Sequence, residues 1–230
     1  MPNYVRNVLR MSGIAKEPLF KQYDDGLSFD FNTLIPMPEE LNVVSGSVTT
    51  DSIMALVYKV LPVIGSWIDT THARDTLINH MKSRLGDDEA EINVKAENGL
   101  KYASNIVKHG CATWYEWCWE KWGTKWNAMS TYIADDNEIQ FETAWNDPSP
   151  VIAALAAKYP ERRIEHWWAD EDVGNNTGYR MWENGILSEL LYEDCSQEAF
   201  ENYGYCWDED VEDGDILHRG EDGLIDFVDN

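Results

Sequence analysis

Ile139-Gln-Phe-Glu-Thr-Ala-Trp145, Asn146-Asp-Pro-Ser-Pro150, Val151-Ile-Ala-Ala-Leu-Ala-Ala-Lys-Tyr159 and Arg163-Ile-Glu-His-Trp-Trp-Ala-Asp170 make up the stretch on which the fold turns. The first segment alternates apolar and polar side chains, the period of a strand with one buried face. The apolar run 151–159 follows a proline at its first turn, where a missing N–H costs least, and reads as a helix. The last segment returns to a strand pattern. Gly178 through Glu189 reads as one further strand, behind the turn formers Glu171-Asp-Val-Gly-Asn-Asn-Thr177.

Toward the C-terminus, Ser196 begins a short helix to Tyr203. An acidic tail follows from Asp208, with apolar groups at Ile216, Leu217, Leu224, Ile225, Phe227 and Val228 that suit a short strand pair folded back on the body. On the N-terminal side, Trp114, Trp117 and Cys118 share one face of a helix ending near Gly123. Residues 50–109 carry helical spacing. One helix is capped by Asp51 and carries Ile53, Met54, Val57, Val60 and Leu61; a second runs from Thr70 to Gly86, and a third from near Ala96 to Gly110. Asn3 to Ser12 reads as a strand closed by Gly13. Phe29 to Ile35 reads as extended chain entering the rigid connector Pro36-Met-Pro38. The whole is α+β, with no internal repeat and no Gly/Ser linker.

Acidic residues outnumber basic ones 42 to 18, a formal charge of −24. The excess is uneven: residues 1–160 carry −7 and residues 161–230 carry −17. A field of that sign repels phosphates, which excludes direct nucleic-acid binding as the expected role. Solubility alone explains the acidity as readily as a functional surface does. The apolar stretch Ile53–Ile68 is broken by Lys59, Pro62 and Gly65, so no membrane span is expected. The opening Met-Pro-Asn-Tyr-Val-Arg has no basic-then-apolar pattern of a secretory signal. Cys111, Cys118, Cys195 and Cys206 form no CxxC pair, and neither His109 nor His218 is spaced with them as a zinc ligand. These features suggest a soluble cytoplasmic protein with reduced thiols.

Catalytic signatures are sparse. The sequence has no GxxxxGK[ST], GxGxxG or GxSxG, and His72, His80, His109, His166 and His218 stand apart without HExxH spacing. The run Asp208-Glu-Asp-Val-Glu-Asp-Gly-Asp215 resembles a calcium loop only superficially. With Gly214 at the sixth loop position, Val211 and Gly220 fall where carboxylates are required. No metal or cofactor is expected.

Phe31-Asn-Thr-Leu-Ile-Pro-Met-Pro-Glu-Glu-Leu41, Trp122-Gly-Thr-Lys-Trp-Asn-Ala128 and Phe141-Glu-Thr-Ala-Trp-Asn-Asp-Pro148 belong together, with the opening Met-Pro-Asn-Tyr-Val-Arg-Asn7 and Ala169-Asp-Glu-Asp-Val-Gly-Asn-Asn-Thr-Gly-Tyr179. In that order they resemble the YubB-type, ferredoxin-like domain family of phages and conjugative plasmids, over most of residues 1–190. The final forty residues carry no such resemblance. The resemblance implies a split β-α-β fold with an α-helical insertion, carriage on a mobile element, and no established enzymatic activity. It suggests a ferredoxin-like domain over 1–192, inserted at about 50–120, with an acidic extension over 193–230 packed on the same domain.

Three functions compete on this reading. The first is an accessory protein whose acidic face occupies a basic host protein, as a DNA mimic does against a defence nuclease. Asp170, Glu171, Asp172, Asp208, Glu209, Asp210, Glu212, Asp213 and Asp215 would then stand in for phosphates. The second is a small-ligand binder or enzyme with a pocket at Trp122, Lys125, Trp126, Asn127 and Trp145, joined by the segment Trp168 to Tyr179, in which Lys125 would extend over an indole face. Aromatic residues of this kind more often serve a core than a ligand. The third is a structural accessory protein without activity of its own. The sequence assigns no oligomeric state.

Overall fold

The protein was analysed as a computed structural model that describes residues 2–24, 26–64 and 71–228. In chain order its elements are β1 (Tyr4–Met11), β2 (Phe20–Tyr23), β3 (Gly26–Phe29), α1 (Ser47–Ile64), α2 (Thr71–Leu85), α3 (Glu89–His109), α4 (Trp114–Lys121), β4 (Met129–Ile133), β5 (Glu138–Ala144), α5 (Ser149–Lys158), β6 (Ile164–Asp170), β7 (Gly178–Glu183), β8 (Ile186–Leu191), α6 (Gln197–Trp207), β9 (Leu217–Arg219) and β10 (Ile225–Phe227). The chain divides into two units, one of residues 1–36 and 118–230, the other of residues 37–117. No helix among the described residues is long and apolar enough to cross a membrane.

The first unit is built on a six-stranded sheet in the order β4-β5-β1-β6-β7-β8, with every neighbouring pair antiparallel. Strands β5 and β6 therefore run parallel to each other, joined through α5, with β1 antiparallel between them. That arrangement is a split β-α-β unit. A second one links β1 to β4 around β5, its long connection being the path through residues 37–117. Two interleaved split units on an antiparallel sheet make the fold α+β and ferredoxin-like, as the sequence reading expects. Strands β7 and β8 extend the sheet beyond it.

Register decides what each face carries. One face holds Val5, Asn7, Leu9 and Met11 of β1, Ile139, Phe141 and Thr143 of β5, and Ile164, His166 and Trp168 of β6, all buried. The helix α5 leaves this face at Asp147, which pairs with Arg180 of β7, and fully buries Val151, Ile152 and Leu155. On the other face, Val8 and Ala169 pack with Phe200, Tyr203 and Cys206 of α6 and with Leu217 and Ile225 of the β9-β10 hairpin. Gln197 ties that hairpin to α6 through both backbone groups of Ile225.

In the second unit, Ala55, Met81, Leu85, Ile92 and Ala96 form a small core. At the crossing of α1 and α3, Gly99 lies so close to Ser52 that a Cβ there would stand 2.3 Å from the Ser52 carbonyl oxygen. Helix α3 starts at Glu89, seven residues before the expected Ala96, because the Asp88 carboxylate accepts from the backbone N–H groups of Ala90 and Glu91. Asp51 is not a cap. It lies inside α1, which starts at Ser47, and receives Arg84 Nε at 3.0 Å. The expected start of the second helix at Thr70 falls outside the described residues, and its stop at Gly86 has φ 83°.

Other expectations are corrected in the sheet unit. Gly178 to Glu189 is not one strand. Asn184 (φ 52°) and Gly185 (φ 75°) turn the chain between β7 and β8, and two consecutive left-handed residues are the signature of a type I′ hairpin. Residues 31–33 form a 3-10 turn rather than extended chain, fixed by Asp30 accepting from Asn32 N–H. The β2-β3 hairpin and β4 have no counterpart in the sequence reading. Helix α6 runs four residues past Tyr203 to Trp207.

Candidate partner-binding surface

Between Glu183 and Asp226 the chain carries fifteen acidic residues and one basic residue, Arg219. Helix α6, the loop 208–216 and the β9-β10 hairpin pack together over the sheet, so the charges they carry belong to ordered structure rather than a disordered tail. Arg219 gathers two of them: its Nη2 lies 3.2 Å from Glu201 of α6 and its Nε 2.8 Å from Glu212 of the loop. Glu189 pairs with Arg180. No other carboxylate of this span takes part in an ion pair among the described residues.

The nine expected contact residues do not all serve that surface. Asp208, Asp210, Glu212, Asp213 and Asp215 are exposed, as are Glu171 and Asp172. Asp210 accepts from the N–H groups of Glu212 and Asp213, and Glu209, half-buried, accepts from Ile216 N–H; both shape the loop while leaving their charge outward. Asp170 is different. It is 5% exposed and accepts from Asn3 Nδ2, Asp172 N–H and Asn176 Nδ2, so it closes the turn after β6 and faces no partner. Asn175 and Asn176 likewise serve that turn.

The aromatic residues separate. Trp122 is buried, donates its indole N–H to Ile35 C=O at 2.9 Å and meets Phe31 edge to face. Lys125 Nζ lies 4.5 Å over the Trp126 ring. Trp126 and Asn127 line an open groove of about 740 Å³ with Tyr23, Leu27, Ser28 and Thr131. Trp122 and Trp145 do not reach it. Asn127 is itself engaged in structure: its Oδ1 accepts from the N–H groups of Phe31 and Ala128, and its Nδ2 donates to Asp30. Trp145 ends β5 in a left-handed conformation, φ 73°, and is 42% exposed.

A buried polar row crosses the sheet beneath. Asn7 Oδ1 accepts from His166 Nε2 at 3.0 Å, while Asn7 Nδ2 donates to Val5 C=O and Thr143 Oγ1. Beside His166, Arg180 forks onto the Asp147 carboxylate, reaches Glu189 Oε1 with Nε at 2.9 Å and lies 4.0 Å from the Trp168 ring centroid. Burial pushes the Asp147 carboxyl up against the opposing pull of Arg180, and burial followed by the Arg180 charge pushes the His166 ring well below its ordinary value. Burial also drives the Cys206 thiol up, away from thiolate reactivity. Asn7, His166 and Arg180 are buried, and the row serves to hold strands together.

Sequence reasoning missed the outer edge of this sheet. All six residues of β8 are exposed, with Ile186 at 70%, Leu187 at 49%, Leu190 at 57% and Leu191 at 72%. The signal was present: an Asn-Gly pair between two apolar-rich runs marks a hairpin and hence a new edge strand.

The match to one family agrees with the architecture of the sheet unit. Residues 121–216 match the family described as the ferredoxin-like domain in Api92-like protein. The match extends past residue 190, where the resemblance read from the sequence stops, and it omits the N-terminal segments that reading also used. A curated relative, the "Uncharacterized protein YubB" of Escherichia coli (strain K12), is 33% identical over 92 residues, 37% of this chain. The aligned part spans 62% of that relative's length. The crystal structure of the protein api92 from Yersinia pseudotuberculosis aligns over 84% of this chain and 99% of its own, at 11% identity and a TM-score of 0.38. Over residues 121–216, from the last residue of α4 to the threshold of β9, the chain is similar to the ferredoxin-like domain of Api92-like protein.

Proposed function

We propose that this chain is a binding protein without catalytic activity, which engages a basic partner through the carboxylates of α6, the 208–216 loop and the β9-β10 hairpin. The supporting observation is that the negative charge between Glu183 and Asp226 lies within one folded unit and meets only two bases in ion pairs among the described residues, Arg219 and, at Glu189, Arg180. An array of that kind attracts a cationic groove and speeds encounter with it. The partner class it fits is a protein whose own ligand is a phosphate backbone, such as a host defence nuclease, with this chain acting in the host cytoplasm as an accessory factor of a phage or plasmid. Asp170, being buried, is outside the contact set.

The test is a pair of variants of equal net charge. One neutralises Asp208, Asp213, Asp215, Glu221 and Asp226 to Asn or Gln; the other does the same to Asp24, Asp87, Glu97, Glu120 and Glu161, which are exposed elsewhere. Capture of basic proteins from host lysate, compared at low and high salt, is expected to fail for the first variant and persist for the second. Equal retention by both would show that net charge alone is responsible and would end the proposal.

A further inference from the structure

We propose that β8 is the contact strand of a two-fold symmetric dimer, in which the six-stranded sheets of two copies join edge to edge. This inference stands on a different part of the molecule from the acidic array and does not depend on it.

The argument begins with backbone parity. In the β7-β8 ladder, Glu183 pairs with Ile186 across a two-residue turn, and Tyr192 N–H donates to Thr177 C=O. Those pairs are the hydrogen-bonded ones, so by alternation Ile186, Ser188, Leu190 and Tyr192 face inward. Leu187, Glu189 and Leu191 therefore turn their N–H and C=O groups out of the sheet, where β8 is the terminal strand. Edge strands are usually blunted by lysines, prolines, bulges or covering segments. β8 has no lysine, proline or bulge and no covering segment among the described residues, and it presents four exposed aliphatic side chains on its two faces.

The sequence of β8 matches itself in one antiparallel register. With Glu189 opposite its own copy, Leu187 pairs with the other copy's Leu191, Leu191 with Leu187, and every outward N–H and C=O of both strands finds a partner. Shifting the register by two residues leaves part of that set unpaired. On one face the same register sets Leu187 against Leu191 twice. On the other it sets Ile186 against Tyr192 and Ser188 against Leu190, cross-strand pairs of the kind that stabilise sheets. The one like-charge contact, Glu189 on Glu189, is softened within each copy by Arg180, whose Nε lies 2.9 Å from Glu189 Oε1 while the same guanidinium also holds Asp147. The row across the joint reads Arg180, Glu189, Glu189, Arg180. Glu193 and Asp194 fall opposite Gly185 and Asn184 of the hairpin turn rather than opposite carboxylates.

A joint one strand long is a small interface, so the dimer is expected to dissociate in the micromolar range. It carries a salt signature opposite to that of the acidic array. Screening relieves the repulsion between two chains of −24 and strengthens the dimer, whereas it weakens binding to a basic partner.

The test is sedimentation velocity on the full chain from roughly 1 to 200 µM, the range that brackets such an interface. The expected result is a mass that doubles with concentration and does so at lower concentration in higher salt. The Leu187→Lys/Leu191→Lys and Leu187→Glu/Leu191→Glu variants change only exposed side chains and are each expected to remain monomeric. Mixed together they are expected to regain the dimer, because the register sets each lysine against a glutamate. A wild-type chain that stays monomeric throughout the range would overturn the proposal. So would a dimer that both variants retain, or an edge that takes up a strand of another protein in preference to its own copy.

Discussion

His166 makes the stability of this protein depend on pH in a way that one substitution isolates. Its ring is fully buried, with Nε2 held at 3.0 Å from Asn7 Oδ1 and Nδ1 without a hydrogen-bond partner among the described residues. Since an amide oxygen only accepts, Nε2 carries a proton. Burial and the neighbouring Arg180 charge hold the ring neutral well below the ordinary pKa of about 6.5. In the unfolded chain the ring takes up a proton near that ordinary value. Acidification therefore favours the unfolded chain, and stability present above pH 6.5 is lost as pH falls below it. For a ring that stays neutral in the fold, moving from pH 7.5 to 5.0 costs RT ln(1 + 10^1.5), about 2 kcal/mol. Urea unfolding followed by tryptophan fluorescence at the two pH values measures the loss. The same experiment on His166→Gln, which cannot titrate but keeps an N–H to offer Asn7, removes this part while the carboxylate contributions remain in both proteins. The variant is expected to lose about 2 kcal/mol less over the interval than the wild type. An equal loss in both would show that His166 is protonated in the fold and refute the reasoning.

Arg180→Met leaves the Asp147 carboxylate buried without its counter-ion and is expected to destabilise by about 3–5 kcal/mol in thermal or urea unfolding, with Arg180→Met/Asp147→Asn recovering part of the loss. In the helical unit, Gly99→Ala gains about 1 kcal/mol of helix propensity. It loses more to the contact at 2.3 Å with the Ser52 carbonyl, so the net effect on the unfolding midpoint is a decrease of about 1–2 kcal/mol. Cys195 is exposed while Cys111, Cys118 and Cys206 are buried. A thiol reagent is expected to titrate one cysteine promptly in the native protein and the remaining three only in denaturant.

The elements β5, α5 and β6 were legible because each follows a single rule, period-two alternation, a proline at the helix start, then alternation again; their split arrangement came from the family resemblance. What escaped the sequence were features set by one or two residues or by distant partners. Asn184-Gly185 sits inside an otherwise continuous strand pattern, and only the positive φ of both residues reveals the reversal. Asp88 was hidden in an acidic run where any of several residues could cap, and the segment after it is too polar to show a stripe before Ile92. Asp170 looked like part of a charged surface loop, yet Asn3, far away in sequence, and Asn176 enclose it. Arg180, a lone charge in an aromatic strand, gave no hint that Asp147 and Glu189 would meet on it from two other segments. The acidic character of the C-terminal third was plain from composition. Its assembly on α6 and a small hairpin, with Arg219 as its only internal base, was a matter of tertiary packing.

The central strand of the sheet, β1, occupies residues 4–11, but both of its neighbours lie between residues 138 and 170. At about 5–20 residues per second, a ribosome takes roughly 8–30 s to pass from one to the other. Throughout that time an apolar segment waits beside the exit site without a mate, while the helices of residues 37–117, whose contacts are local, close early. Strand β1 is thus seated long after it is made, and its chaperone demand during synthesis follows from strand order.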